Sequence, residues 1–338
     1  IYFIGGVMSK IVSFLLLPLY TTYLSPAQFG QYDLAYTFIN LIVPIAFFQI
    51  WDGAFRFSFD KDKDKDKYYV ISNAIMVFAF GIILYLPAIY AVSDYFKFEY
   101  LWAIIVYGII IGLQSLTTFS ARIFLNNKLF VASGMVNAFV AAIINVILIL
   151  VFHFDILSIY IAAICGGICQ ILLITFRLSI PRYFSFSDLD KKLCWKMLQF
   201  SMPLCFATIS YWLLAGFTKL GITNKLGMAA NGLYAITTKF STAILLLVNV
   251  FQFSWNELAY IISNDDSRVA KYELSADFFI KSILFGTVAV CVFIKWIFPY
   301  FVGPEYSQAY YLIPITIMGV SFNTISDFFG TFFMMEKK

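Results

Sequence analysis

The strongest constraint on this chain is a succession of about ten apolar runs, each long enough to cross a bilayer and separated from the next by a short polar break. They cover approximately residues 1–24, 33–55, 69–92, 99–121, 130–152, 156–178, 197–222, 230–256, 276–298 and 309–335. In hydrocarbon, backbone polar groups must be satisfied within a helix or a closed barrel. These runs are too long, and alternate too little, for barrel strands. The expected fold is therefore all-α and polytopic, with about ten transmembrane helices. Of the 338 residues, 62% are hydrophobic and 12% charged, about half the charged fraction of a soluble domain. That argues against a soluble enzyme. A nucleic-acid partner is excluded because no soluble face carries a basic stripe. The chain begins at Ile1 inside an apolar run and ends at Lys338 directly after another, so a fragment cut at both ends is expected.

The basic residues fall on alternate loops. One set carries Arg56, Lys61, Lys63, Lys65, Lys67, Arg122, Lys128, Arg177, Arg182, Lys191, Lys192, Lys196, Arg268, Lys271, Lys337 and Lys338. The other carries little beyond Lys97 and Lys225. The positive-inside rule places both ends of this chain in the cytoplasm. The alternating Lys61–Lys67 run reads as a solvated loop whose charges nearly cancel. Pro181 to Lys196 is the longest polar connection before a new apolar run. This divides the chain into a six-helix bundle over 1–178, a cytoplasmic linker over 179–196 and an incomplete four-helix bundle over 197–338.

A weak internal echo supports that division. Gly30-Gln31-Tyr32 opens the second run and Gly232-Leu233-Tyr234 the eighth, while Phe48-Gln49-Ile50-Trp51 is echoed by Phe251-Gln252-Phe253-Ser254-Trp255. A six-helix offset preserves orientation in the membrane, so the repeats would be parallel, around a central cavity.

A lysine at the centre of a spanning helix costs about 2.5–3.5 kcal/mol on insertion scales, so such charges usually face protein or water. Three qualify: Lys10, about 20 Å below the outer end of its run; Lys239, about 10 Å below the outer end of the eighth; and Lys219, near the outer end of the seventh. Together they would line a path for an anionic lipid headgroup, the competing reading being snorkelling to the interface. Thr238, Thr242, Asn249, Gln252 and Asn256 recur at helical spacing beside Lys239, and Thr37 and Asn40 share a face of the second run. Such stripes line a path or join helices by hydrogen bonds. Pro44 predicts a kink. Asp52 and Arg56, four apart, can pair and form either a topology anchor or an inner gate. Asp327, about 25 Å below the outer end of the last run, reads as an interfacial group. Ser25-Pro26-Ala27-Gln28 reads as a capped helix start in a short outer loop.

Other chemistry is sparse. His153 is the only histidine, in an outer loop, and reads as structural. Cys165, Cys169, Cys194, Cys205 and Cys291 read as packing residues, since no histidine or carboxylate joins them as metal ligands. No phosphate-binding loop ending in Gly-Lys-Ser/Thr is present, so the chain is not itself an ATPase. No catalytic group, metal or cofactor is expected.

Over essentially its whole length the chain resembles the polysaccharide repeat-unit flippases (O-antigen, Wzx type) of the multidrug/oligosaccharidyl-lipid/polysaccharide exporter superfamily. The residues carrying the resemblance in the first half are Ser9-Lys10, Pro18-Leu19, Leu24-Ser25-Pro26 through Tyr32, and Arg56. In the second half they are Ser201-Met202-Pro203-Leu204, Gly232-Leu233-Tyr234-Ala235 with Lys239 and Trp255, Gly303-Pro304-Glu305-Tyr306, and Pro314. Where the family shows Asp-Arg near the outer end of the seventh helix, this chain has Thr218-Lys219. The positive charge is kept and the carboxylate lost, which puts an ion-pair role there in doubt. The resemblance implies twelve or more helices in the complete protein, two bundles opening alternately to each side, and a bacterial inner-membrane location. The cargo it implies is an undecaprenyl-pyrophosphate-linked oligosaccharide. Membrane lipids, a polysaccharide polymerase and a chain-length protein are the implied partners.

Three other functions compete. A multidrug or lipid II exporter of the same superfamily would need carboxylates inside the first bundle, whereas Asp33 and Asp52 fall at the ends of the predicted helix. A membrane polymerase or glycosyltransferase would use a large outer loop with Asp, Arg or His, and the outer loops here are only about 4–12 residues. A scaffold protein would leave the buried lysines unexplained.

Overall fold

The computed structural model describes residues 12–61, 63–184, 189–242 and 268–335. Lys10, Asn249, Gln252, Trp255 and Asn256 lie outside them. The described residues form helices α1 (Val12–Tyr23), α2 (Pro26–Ala46), α3 (Ile50–Ser58), α4 (Asp64–Phe96), α5 (Leu101–Ile123), α6 (Asn127–Leu150) and α7 (Leu157–Arg177). They continue through a short α8 (Ile180–Tyr183), α9 (Lys191–Leu226), α10 (228–242), α11 (Arg268–Phe301), a 3-10 segment (Pro304–Leu312) and α12 (Ile313–Met335). Seven of these helices are long and apolar enough to cross a membrane, and the bent pair α2–α3 makes an eighth span.

Several helices start well before their apolar runs because polar residues cap them. Ser25 and Gln28 form a complete capping box: the Gln28 backbone N–H donates to Ser25 Oγ at 3.3 Å, and the Ser25 N–H to Gln28 Oε1 at 3.0 Å. With Pro26 in the first turn, α2 begins seven residues earlier than hydropathy suggests. Likewise the Lys61–Lys67 run is not all loop. Asp64 and Asp66 occupy the first turn of α4, where carboxylates oppose the positive end of the helix dipole. Asp190 Oδ1 accepts from the backbone N–H groups of Lys192 and Leu193, which starts α9 within the expected linker.

The second span breaks near Pro44, as the sequence predicts. The chain bends by 50° between α2 and α3, and Phe48 and Gln49 adopt left-handed backbone conformations. Gln49 steadies the break by donating to Thr208 Oγ1 of α9 at 2.6 Å, and its backbone N–H reaches Pro44 O at 2.8 Å.

Two hydrophobic clusters hold the helices together, and their membership crosses the linker. The first joins α2 to α7 and includes Cys194 and Met197 of α9. The second joins α10, α11, the 3-10 segment and α12, and includes Leu17 of α1, Leu24 and Phe29. Thus α1 packs on α11 and the 3-10 segment, while α9 packs on α2, α3 and α4. Polar contacts tie α1 into place. Thr21 Oγ1 accepts from the Gly303 N–H at 3.0 Å, and the Tyr306 hydroxyl donates to Leu24 O at 3.0 Å. The leading helix of each half therefore packs on the other half, so the buried clusters do not follow the simple chain division at 178.

Candidate functional site

The site is built where α2 crosses α10. Gly30 and Gly232 meet there with no side chain between the backbones: a methyl on Gly30 would collide with Met228 O, and one on Gly232 with Pro26 O. Asn231 closes the crossing by donating from Nδ2 to Gly30 O at 2.8 Å. Asp33 lies one turn below, and its Oδ2 is 3.5 Å from Asn231 Nδ2.

Asp33 is seven residues inside α2 and Lys219 seven residues from the end of α9. Both ends lie on the same side of the structure, so both groups sit about 10 Å deep. They meet: Lys219 Nζ lies 2.8 Å from Asp33 Oδ2 and 2.9 Å from Oδ1, with side-chain exposures of 19% and 11%. Lys219 also donates to Thr37 Oγ1 at 3.2 Å, and the Thr37 hydroxyl donates to Asp33 O at 2.7 Å. Trp212 Nε1 donates to Thr37 O at 2.9 Å and fixes α9 against α2. The carboxylate that the seventh helix lacks is supplied by the second. Asp33, expected at a helix end, is buried because α2 begins at Pro26.

Lys239 lies eleven residues into α10, about 16 Å deep and farther in than the sequence estimate. Asp33 attracts it and Lys219 repels it. All three line one cavity of about 400 Å³, together with Thr238 and Thr242. Asp33 is the only carboxylate, and Lys219 and Lys239 the only cations, among the described residues that line it. The rest of the wall combines tyrosines and amides, including Tyr36, Tyr107, Gln114, Asn137 and Asn145, with apolar side chains such as Leu16, Phe29 and Ile159.

The structure thus gathers Lys219, Lys239 and Thr242 around one space, with Thr37 behind it, joined through its hydrogen bond from Lys219. Asn40 is not part of it: it is exposed, and its Nδ2 donates to Tyr36 O of its own helix at 2.8 Å. Lys10 and Asn249 fall outside the described residues. The expected Asp52–Arg56 pair does not form. Arg56 turns outward to Asp60 at 2.8 Å, both about half exposed, whereas Asp52 faces the charge of Arg122 on α5. Both Asp60 and Asp52 are four residues from Arg56, and the solvated partner requires no burial of the guanidinium. Arg122 itself lies over the Phe55 and Phe119 rings.

Sequence reasoning missed Asp33 as a partner and missed the tyrosine and amide wall. The spacing Asp33, Thr37 and Asn40 along one run was the available signal. Nothing local reveals that Gln114, Asn137 and Asn145, from two other helices, converge on it.

Solved structures share this fold at low identity. An inward-facing multidrug resistance MATE family transporter of the MOP superfamily superposes with a TM-score of 0.71 at 12% identity, covering 96% of this chain and 83% of that one. An outward-facing transporter of the same description gives 0.58 at 12% identity, covering 98% and 82%. A MATE in complex with MaL6 gives 0.59 at 13% identity, covering 98% and 83%. No curated protein matches the sequence. Residues 1–255 match the family described as polysaccharide biosynthesis protein. Fold and family together make the chain a multi-span membrane protein with repeated bundles. The chain belongs to the polysaccharide biosynthesis protein family, whose model it matches over residues 1–255.

Proposed function

We propose that this protein moves an anionic lipid-linked saccharide, an undecaprenyl-pyrophosphate-linked oligosaccharide repeat unit, from the inner to the outer leaflet of a bacterial cytoplasmic membrane for cell-surface polysaccharide assembly. It does so by alternating access and without making or breaking a bond. The observation that carries this reading is the charge of the cavity, two lysines against one carboxylate among the described residues. Asp33 engages Lys219 at 2.8 Å, which leaves Lys239 as the cavity cation without an ion-pair partner among the described residues. An uncompensated cation at such depth costs several kcal/mol unless water or an anion answers it. A pyrophosphate answers it with diffuse negative charge, and lysine binds phosphate as a point charge. Both chain ends and the basic loops face the cytoplasm in this scheme.

A second reading, export of cationic drugs, is favoured by the burial of Asp33 inside the cavity, a carboxylate the predicted helix boundaries had left at the interface. Against it stands Lys219, which already occupies both carboxylate oxygens. The test is reconstitution in liposomes. Fluorescent undecaprenyl-pyrophosphoryl oligosaccharide should become accessible at the far leaflet without chemical change, while a cationic dye should not be moved. Dye transport with no movement of the pyrophosphate lipid would overturn the flippase reading. A chemically extended glycan would instead identify a polymerase.

A further inference from the structure

Away from the charged cavity, and sharing none of its residues, α4 and α9 part to leave an open groove of about 780 Å³. Its α4 side is Met76, Ala79 and Phe80, and its α9 side Trp195, Leu198 and Met202. The spacing within each set puts it on one face of its helix. Phe80, Trp195 and Met202 are exposed although large and apolar. Phe48, with its left-handed backbone in the break of the second span, also lines the groove.

One end of the groove is cationic. Lys191, in the first turn of α9, is the only charged residue among the described residues that line it. It is exposed and forms no ion pair among the described residues. Lys192 and Lys196 of the same two turns, and Arg182 of α8, are exposed as well. The Asp190 N–H donates to Asn73 Oδ1 at 2.8 Å, which fixes the start of α9 beside α4 and so sets the position of this end. Lys191 and Met202 are eleven residues apart, about 16 Å along the helix, a length comparable with one leaflet of a hydrocarbon core about 30 Å thick. Trp195 sits one turn from Lys191, the pairing of indole and cation that marks a membrane interface.

We infer that this groove is a binding site for an anionic phospholipid of the leaflet that the basic loops face, with one acyl chain between α4 and α9 and the phosphate at Lys191. A convex apolar face exchanges its lipid freely. A concave one surrounds a single chain, and each added methylene gains contacts on several sides. Charge complementarity selects the headgroup, since a basic rim on this side of a membrane favours anionic lipid over zwitterionic lipid. The bound chain lies against Phe48 and against α9, which Gln49 already holds through Thr208 at 2.6 Å. The lipid therefore braces the contact between α9 and the break of the second span, and this role is independent of the cargo.

Native mass spectrometry of the purified chain, released from nanodiscs of equal phosphatidylglycerol and phosphatidylcholine, counts the lipids retained. Wild type should keep phosphatidylglycerol over phosphatidylcholine about fivefold, the effect of one interfacial cation. Lys191→Gln should bring the two towards parity, whereas Lys128→Gln, an exposed lysine outside the groove, should keep the preference. Ala79 is exposed within the groove, so Ala79→Trp should fill the space and displace both lipids. Added phosphatidylglycerol should raise the unfolding temperature of wild type more than that of Ala79→Trp. Equal retention of the two lipids by wild type, or an equal loss of preference in Lys191→Gln and Lys128→Gln, would overturn the site. Undecaprenyl phosphate displacing phosphatidylglycerol from wild type, but not binding Ala79→Trp, would assign the groove to the cargo's tail and overturn the phospholipid.

Discussion

Gly30 on α2 and Gly232 on α10 occupy each other's only free space. The position of a Cβ on the first is filled by Met228 O, and of a Cβ on the second by Pro26 O, the carbonyl four residues earlier on the opposite helix in each case. The contact is reciprocal. It joins the two members of the weak sequence echo, and it sets the spacing of the helices that carry Asp33 and Lys239.

Because the colliding atoms are backbone, neither helix can yield by a rotamer change. Gly30→Ala and Gly232→Ala should each lower stability by about 1–3 kcal/mol, the usual range for overpacking. The double variant should lose less than the sum, since one displacement of the crossing accommodates both methyls. Thermal unfolding of the purified protein measures this, and fully additive losses would mean that the two sites do not share a contact.

Lys219→Met leaves the Asp33 carboxylate without its cation and should destabilise the protein by up to about 3 kcal/mol, somewhat below the range for a fully buried pair because both side chains keep some exposure. Adding Asp33→Asn should restore much of the stability, since no charge is then stranded. Transport should not return with it. Unfolding and transport measured on the same preparations separate the two effects, and a double variant that transports normally would make the pair purely structural.

Lys239→Ala should reduce lipid translocation strongly at normal insertion and expression, while Lys239→Arg retains part of the activity. The wild-type rate should fall with added salt more steeply than that of Lys239→Ala, because screening weakens a charge–charge contact. Full complementation by Lys239→Ala at matched protein level would show that the charge does not meet the cargo.

Ala27, in the capped first turn of α2, and Lys65, in the first turn of α4, are both exposed and suit single-cysteine labelling. In a background lacking the five native cysteines, a membrane-impermeant reagent should label Ala27→Cys from outside and Lys65→Cys only after lysis. Labelling of both from one side would refute the topology.

The Asp190 carboxylate is held below its ordinary range by the backbone N–H groups of Leu193 and Lys192 that it caps. A depressed carboxylate adds stability that is present above its unfolded pKa and is lost as pH falls through the folded one. Amide protection at Lys192 and Leu193, corrected for intrinsic exchange, should therefore fall on acidification below the ordinary carboxylate range. Asp190→Asn, a comparable cap without a titratable group, should show no such pH dependence.

The approximate positions of the spans, the Pro44 break and the Ser25 cap were legible in the sequence, because each follows from local chemistry: hydropathy over a bilayer thickness, a missing N–H, a side chain reaching three residues along. Lys219 and Lys239 also stood out locally, since a charge in an apolar run is conspicuous wherever it packs. What each lysine meets was not legible. The partner of Lys219 is 186 residues away in the chain, and equal depth from a shared end brings them together only once two glycines let α2 and α10 touch. Arg56 had two carboxylates at helical spacing, Asp52 before it and Asp60 after it, and the packing around α3 decided between them. The exchange of α1 and α9 between the two hydrophobic clusters and the convergence of Tyr36, Tyr107, Gln114, Asn137 and Asn145 on one cavity belong to the tertiary structure alone. Helical periodicity fixes which residues share a face, but only the packing of separate helices fixes which faces meet.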